Sequence, residues 1–308
     1  MEQEAAVPSL REMEGVVDSL CDFDTMHHVC PRRRNEGEPL LSNTTVRRIV
    51  RLACGLMFPG FYDDTVVSSS ELRSRMTLDC HELRRLLHHQ ICAALCFADS
   101  DCERTLDSIN AEADRAAVLF INRLPALRAI LDTDVDATFL GDPAATSTHE
   151  VIVCYPGLRA TMSHRIAHEL LVAGVPILPR MISEQAHSDT GIDIHPGATI
   201  GRSFVIDHGT GVVIGATAII GDNVKIYQGV TLGARSFVKD ENDNPVKGIP
   251  RHPVIGDNVV IYANSTILGR INVGDGAVIG GNLWVTFDVA PGERLVQSPP
   301  TNIVRLPK

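Results

Sequence analysis

Residues 192–232 read IDIHPGATIGRSFVIDHGTGVVIGATAIIGDNVKIYQGVTL, and an aliphatic returns in this stretch every six residues. Ile194, Ile200 and Ile206 are six apart; after His208-Gly209-Thr210-Gly211 the count restarts and runs through Ile214, Ile220, Ile226 and Leu232. Glycine follows Ile200, Ile214 and Ile220. A period of six with a fixed aliphatic and a recurrent glycine fits short flat strands joined by tight turns, three strands to a coil. The pattern returns beyond a polar interruption at Ile255, Ile261, Ile267, Val273, Ile279 and Val285. Thirteen aliphatics in two runs leave chance alignment little room, and a parallel β-helix is predicted. In it each aliphatic stacks on its equivalents above and below, a column no single coil can bury alone.

Upstream the period is helical. Leu10, Met13, Val17 and Leu20 follow a capping-box pair, Ser9 and Glu12. Val46, Ile49, Val50, Ala53 and Met57 mark a second helix, ended by Pro59-Gly60. Ser68 and Glu71 repeat the capping box before a long stripe, Leu72, Met76, Leu83, Leu87 and Ile91. Leu106, Ile109, Ala113, Ala116 and Phe120 carry another helix to Pro125, with a short helical segment around Leu127–Leu131 and a connector over Asp132–Ser147. Two more helices are expected over Leu158–Val172, closing at Gly174, and over Pro179–Ala186. The period switches to six at Gly191, dividing the chain into a helical domain, 1–190, and a β-helical domain, 191–308, an α+β architecture. Residues 240–245, rich in Asn and Asp, read as a loop thrown out from a corner of the β-helix.

A net charge of −10 and a pI near 5.6 argue against nucleic-acid or anionic-membrane partners, and Arg32-Arg33-Arg34 is too short a basic cluster to reverse that. The acidic N-terminus lacks the apolar core of a signal peptide, and no window approaches the roughly 18 apolar residues of a membrane span, so a cytoplasmic location is expected. The eight cysteines all precede the repeats and form no CxxC pair, which for most of them reads as buried packing. His88, Cys92 and Cys96 share a helical face but have no fourth ligand nearby, and packing is again the better reading.

Three polar clusters interrupt the repeats: Asp193-Ile194-His195, Asp207-His208-Gly209-Thr210-Gly211 and Pro250-Arg251-His252-Pro253. A histidine at a solenoid corner is ordinarily a surface residue. His208 differs because it falls where the period slips by two, and a break in a strict repeat is where local logic yields to function. Asp193 precedes it by fifteen residues, under one coil of eighteen, so its carboxylate is expected within reach of the imidazole. A carboxylate on one ring nitrogen fixes the tautomer and leaves the other nitrogen as a base.

The segments GIDIHPGATIG, DHGTGVVIGATAIIGDNVKIYQGVTLGA, RHPVIGDNVVI and, upstream, DPAATSTHEVIVCYPGLRATMSHRIAH resemble the motifs of the serine O-acetyltransferases, within the broader class of hexapeptide-repeat acyltransferases. The resemblance covers residues 140–290 closely and the helical part in kind. It implies a left-handed coil, acetyl-CoA as co-substrate without a permanently bound cofactor or metal, and a homotrimer or a dimer of trimers. It gives the helical part a role in oligomerisation and in part of the serine site. His208 would be the general base, Asp193 its orienting partner, and His252 would lie across the site near the reacting centre. Arg251 would bind the substrate carboxylate, and Asp142 and Asp207 its amino group. Gly233, Ala263 and Gly281 would allow close approach of the pantetheine arm. Arg165 and His168 match the family pattern too, but read as a pair that caps the interface beneath the β-helix.

Many members carry a tail ending in an isoleucine that inserts into O-acetylserine sulfhydrylase; here the chain ends TNIVRLPK, which argues against a stable complex with that enzyme. Alternatives are a zinc hydratase using His195, His208 and His252, whose spacing of thirteen and forty-four fits poorly, and a non-catalytic trimeric scaffold. A homoserine acetyltransferase also stays open, because one methylene discriminates by only about 1–3 kcal/mol.

Overall fold

The computed structural model describes residues 10–22, 39–62, 68–99, 103–236 and 239–298. The chain divides into two compact units, Met1–Glu38 and Pro39–Lys308. In the first, α1 (Leu10–Leu20) has the expected helical spacing and leaves Met13, Val16, Val17 and Leu20 exposed. Its capping partner Ser9, the Arg32-Arg33-Arg34 cluster and the C-terminal TNIVRLPK lie outside the described residues.

The second unit opens with α2 (Asn43–Met57), capped by Ser42, whose hydroxyl accepts from Thr45 N–H at 3.2 Å. Then come α3 (Leu72–Ala98), α4 (Leu106–Gly141), α5 (Thr148–Cys154), α6 (Pro156–Val172) and α7 (Leu178–Thr190). The apolar stripe of α2 packs into the core as its spacing requires, and so does that of α3 from Met76 onward, whereas Leu72 at its start is exposed. Two expectations are corrected. The helix from Leu106 does not stop at Pro125, and the connector over Asp132–Ser147 is helical as far as Gly141; α4 runs 36 residues with Pro125 inside it. The local cost of an interior proline is overridden by packing, because Leu124, Leu127, Leu131 and Val135 prolong one buried stripe across it. A further helix, α5, starts at a Ser147 cap, with Glu150 N–H on Ser147 Oγ at 3.1 Å.

At Gly191, the left-handed C-cap of α7, the chain turns into the β-helix. Its first coil is β1 (Asp193–Ile194), β2 (Thr199–Ile200) and β3 (Val205–Asp207), its second β4 (Val213–Ile214), β5 (Ile219–Ile220) and β6 (Lys225–Tyr227). The third is β7 (Thr231–Gly233), β8 (Val254–Ile255) and β9 (Val260–Ile261), the fourth β10 (Thr266–Leu268), β11 (Asn272–Val273) and β12 (Val278–Ile279). β13 (Trp284–Val285) and β14 (Arg294–Leu295) close the stack.

Parallel pairing gathers the strands into three faces: β1-β4-β7-β10-β13, β2-β5-β8-β11 and β3-β6-β9-β12-β14. The six-residue aliphatics stand in register through all of them, as in Ile194 on Ile214 and Ile214 on Leu232, and form one buried column. We name the corners by the faces they join. The long loop between β7 and β8 leaves corner 1/2, and its tip is closed by a bridge between Lys239 and Pro245 and an ion pair between Lys239 and Asp243 at 2.7 Å.

The helices seat on the first coil through one buried ion pair. Arg165 on α6 meets Asp134 on α4 with Nε–Oδ2 at 2.8 Å and Nη2–Oδ1 at 3.0 Å. The same guanidinium donates to the carbonyls of Ile200 and Gly201, at 3.1 and 2.7 Å, while Asp134 accepts from Phe204 N–H at 2.9 Å. His168 Nδ1 lies 2.8 Å from Pro196 O. Arg165 and His168 therefore cap the interface, as the sequence suggested. The N-terminus of α6 also touches the coil: a Cβ on Gly157 would stand 2.1 Å from the carbonyl oxygen of Ile206, so only glycine lets the two backbones approach.

Candidate active site

Corner 3/1 carries the register slip. Gly229 N–H donates to Thr210 O, Asn264 N–H to Gln228 O and Asn282 N–H to Ala263 O, at 2.9–3.0 Å. Thr210-Gly211 is thus the stacked equivalent of Gln228-Gly229, Ala263-Asn264 and Gly281-Asn282, and the insertion is two residues, His208 and Gly209, rather than the four from His208 to Gly211. His208 sits in the left-handed region, with φ 60°, and its side chain is 75% exposed. A non-glycine residue held there on a bulge, with an unburied side chain, is a candidate functional position. Gly209 is required beside it, since its φ is 98° and a Cβ would lie 2.4 Å from Ile192.

Around His208 stand two carboxylates. Asp207 Oδ1 is 3.8 Å from His208 Nε2, and its Oδ2 pairs with Lys225 Nζ at 2.9 Å. Lys225 also donates to Gly141 O at 2.8 Å and lies 4.8 Å from the centre of the Tyr227 ring. Burial works against its ammonium, but hydrogen bonds to Asp207 and Tyr227 hold its pKa above the ordinary lysine value. Asp142, the C-cap of α4, accepts from Tyr155 Oη at 2.6 Å and from Ala144 N–H at 2.8 Å. The Tyr155 bond, then the backbone bond, keep the Asp142 carboxyl below its usual range, and the same contact pushes Tyr155 up to about 12. Corner 3/1 therefore brings together a base-capable imidazole and two acidic groups, Asp142 and Asp207.

Asp193 is on face 1, paired with Val213, and among the described residues no hydrogen bond joins it to His208. The expected contact between the two is not formed in this arrangement of the bulge.

Corner 1/2 carries the other group. His252 is buried, and its ring packs on Gly215, where a Cβ would lie 2.1 Å from Nε2. Its Nδ1 accepts Thr217 N–H at 3.1 Å and is 2.8 Å from Thr217 Oγ1. Burial first, then the charges of Arg251, His195 and Arg270, lower His252 to about 4. Arg270 Nη1 donates to Thr217 O and His252 O, at 2.7 and 3.1 Å. Arg235, Arg251 and Arg270 line a cleft of about 190 Å³ beneath the β7–β8 loop, so this corner is cationic.

The two clusters do not meet within one chain. From Gly211 to Gly215 the strand crosses four residues of face 1, about 13 Å at ~3.3 Å per residue. The three glycine and alanine positions divide the same way: Ala263 and Gly281 stack at corner 3/1, where a Cβ on Gly281 would be 3.2 Å from Ala263 O, while Gly233 ends β7 at corner 1/2. His195 belongs with His252 and not with His208, and among the described residues no group of three or more His, Cys, Asp or Glu is arranged to hold a metal ion. His88, Cys92 and Cys96 lie within α3; Cys92 and Cys96 are buried, and Cys92 Sγ is 3.2 Å from Asn110 Oδ1. Lys225, Tyr155 and Thr217 escaped the sequence reading, since nothing in a strand or a helix start separates them from ordinary surface residues.

The bacterial transferase hexapeptide family (six repeats) matches residues 252–286. A plasmid-encoded serine acetyltransferase of Synechococcus elongatus is 42% identical over 292 residues, 93% of this chain and 91% of that protein. The chain belongs to the serine acetyltransferase family. Another serine acetyltransferase, from Bacillus subtilis, is 46% identical over 57% of this chain and 77% of its own length. Among solved structures, Entamoeba histolytica serine acetyltransferase 1 in complex with L-cysteine superposes with a TM-score of 0.71 at 34% identity, covering 83% of this chain and 87% of that one. Soybean serine acetyltransferase complexed with serine gives 0.53 at 31% identity, covering 83% and 96%. As a member of this family the chain is an acyltransferase on a left-handed β-helix.

Proposed function

We propose that the chain transfers the acetyl group of acetyl-CoA to the hydroxyl of L-serine, giving O-acetyl-L-serine and CoA, the first step of cysteine synthesis from serine. The observation that carries this reading is the separation of two complementary half-sites at opposite edges of face 1. One holds His208 with Asp142 and Asp207, the other Arg251 and His252. A homotrimer would set corner 3/1 of one β-helix against corner 1/2 of the next and join the halves. A zwitterionic amino acid needs an anion and a cation set apart. Asp142 and Asp207 offer the first for its ammonium, Arg251 the second for its carboxylate.

His208 is the general base: its imidazole takes the hydroxyl proton as the serine oxygen attacks the thioester carbonyl, a service worth about 10²- to 10⁴-fold. The carbon–sulfur bond breaks and the imidazolium returns the proton to the CoA thiolate. The thioester is already activated, so direct transfer needs no covalent enzyme intermediate. Asp193, one strand away on face 1, orients the imidazole once the bulge closes on substrate, and apo geometry is commonly looser than the working complex. Gly233, Ala263 and Gly281 leave room for the pantetheine arm between neighbouring β-helices.

The test is thiol release from acetyl-CoA by the purified protein with L-serine, L-homoserine and no acceptor side by side. Serine-dependent release supports the reading; preference for homoserine, or silence from folded protein, overturns it.

A further inference from the structure

Thr217 occupies a hexapeptide corner and, besides accepting from Arg270 at its carbonyl, makes four bonds through its side chain and its N–H. Its Oγ1 accepts the backbone N–H of Arg251 at 2.9 Å and of His252 at 3.2 Å. Its own N–H and its hydroxyl both lie on His252 Nδ1, at 3.1 and 2.8 Å. A backbone N–H can only donate, so Nδ1 is the accepting nitrogen. With two N–H groups already directed at Oγ1, the hydroxyl hydrogen is free for the same Nδ1. The neutral ring must then carry its proton on Nε2.

We propose that Thr217 is the positioning residue of the site: it locks His252 as an Nε2–H donor, turned to bond the substrate or the developing oxyanion rather than to accept a proton. Three further observations agree. Nε2 has no hydrogen-bond partner among the described residues, and it lies on the bare backbone of Gly215, the one residue type that leaves it space. The groups facing the ring are cationic or neutral, namely Arg251, Arg270 and His195, so nothing there favours an imidazolium. A donor of fixed direction stabilises charge that develops in the transition state, whereas a second base opposite His208 would compete for the same proton. Thr217 also ties the backbone of Arg251 to that of His252, so one side chain sets the position of both.

This inference rests on the proposed acetyl transfer for its kinetic part, and its structural part is read independently. In ¹⁵N-histidine-labelled protein, two-bond ¹H–¹⁵N correlations should show His252 as the Nε2–H tautomer near neutral pH, and Thr217→Val, which keeps only the backbone N–H on Nδ1, should weaken that preference without abolishing it. Thr217→Ser keeps the hydroxyl and should restore both the tautomer and turnover. Thr217→Val is expected to lower kcat roughly 10- to 100-fold with the KM for acetyl-CoA unchanged, and to lower the melting temperature somewhat because the N–H groups of Arg251 and His252 lose their acceptor. An Nδ1–H tautomer in the wild type, or a Val variant with wild-type kcat, overturns the proposal. The predicted tautomer in a protein that does not acetylate serine would retain the positioning role and sink the substrate assignment instead.

Discussion

His208 and His252 are both imidazoles, and their surroundings are opposite. His208 projects from a bulge in a left-handed conformation with most of its side chain in water, while His252 is enclosed by Thr217, Gly215 and two guanidinium groups. His208→Ala should therefore lower turnover by about 10²- to 10⁴-fold and leave CoA affinity largely unaltered; unchanged kcat removes His208 from the chemistry. His252 makes a separate pH prediction. Its folded pKa of about 4 lies below that of free histidine, about 6.5. The unfolded chain thus takes up a proton first, and folding stability is full above that range and declines as pH falls from ~6.5 towards ~4. NMR titration should find His252 neutral at pH 5.5, and His252→Asn should flatten this part of the stability curve; a His252 midpoint near 6.5 would contradict the burial argument. His208 was legible in the sequence because a slip in a six-residue period is visible in one dimension. Thr217 was not, because its partners are 34 and 35 residues away across a corner that looks like any other hexapeptide turn.

At the scale of elements, the β-helix could be read directly, since each strand writes the same residue at the same phase. The helices were harder because their limits are set from elsewhere. α4 continues past Pro125 because residues beyond it are buried, and its acidic Asp134, which in sequence belongs to a polar connector, is neutralised by Arg165 on another helix. Both partners are almost wholly buried, with 0% and 6% of their side chains exposed. Removing one strands the other and frees backbone groups of the first coil, so Asp134→Ala should cost about 3–5 kcal/mol in denaturant unfolding. A loss below 1 kcal/mol would show that the helices do not depend on this seat. The bulge is an element too, and excess to the repeat. Deleting His208 and Gly209 restores the six-residue spacing from Ile206 to Ile214, so the fold and its melting temperature should survive while acetyl transfer disappears. Activity in the deletion variant would mean that the slip is a neutral insertion.

On the scale of the whole molecule, one chain holds the His208 cluster and the Arg251–His252 cluster at different corners. If the halves work only across a subunit boundary, each site draws His208 from one protomer and Arg251 from its neighbour. His208→Ala and Arg251→Ala proteins should then each be nearly inactive alone, since every boundary carries the same lesion. Mixed by co-expression or by unfolding and refolding together, the two variants form boundaries of four kinds in equal number. One kind pairs an intact corner 3/1 with an intact corner 1/2, so activity should return to about a quarter of the wild-type value at equal mixing. The other three kinds keep at least one lesion. A site complete within one chain predicts no recovery at any ratio, because every chain then carries a damaged site. Mixing folded homo-oligomers without subunit exchange is the control and should stay inactive. Recovery that rises and falls with the product of the two fractions would locate the reaction between chains; a flat, inactive series would return it to a single chain, where face 1 would have to rearrange over about 13 Å to bring His208 to His252.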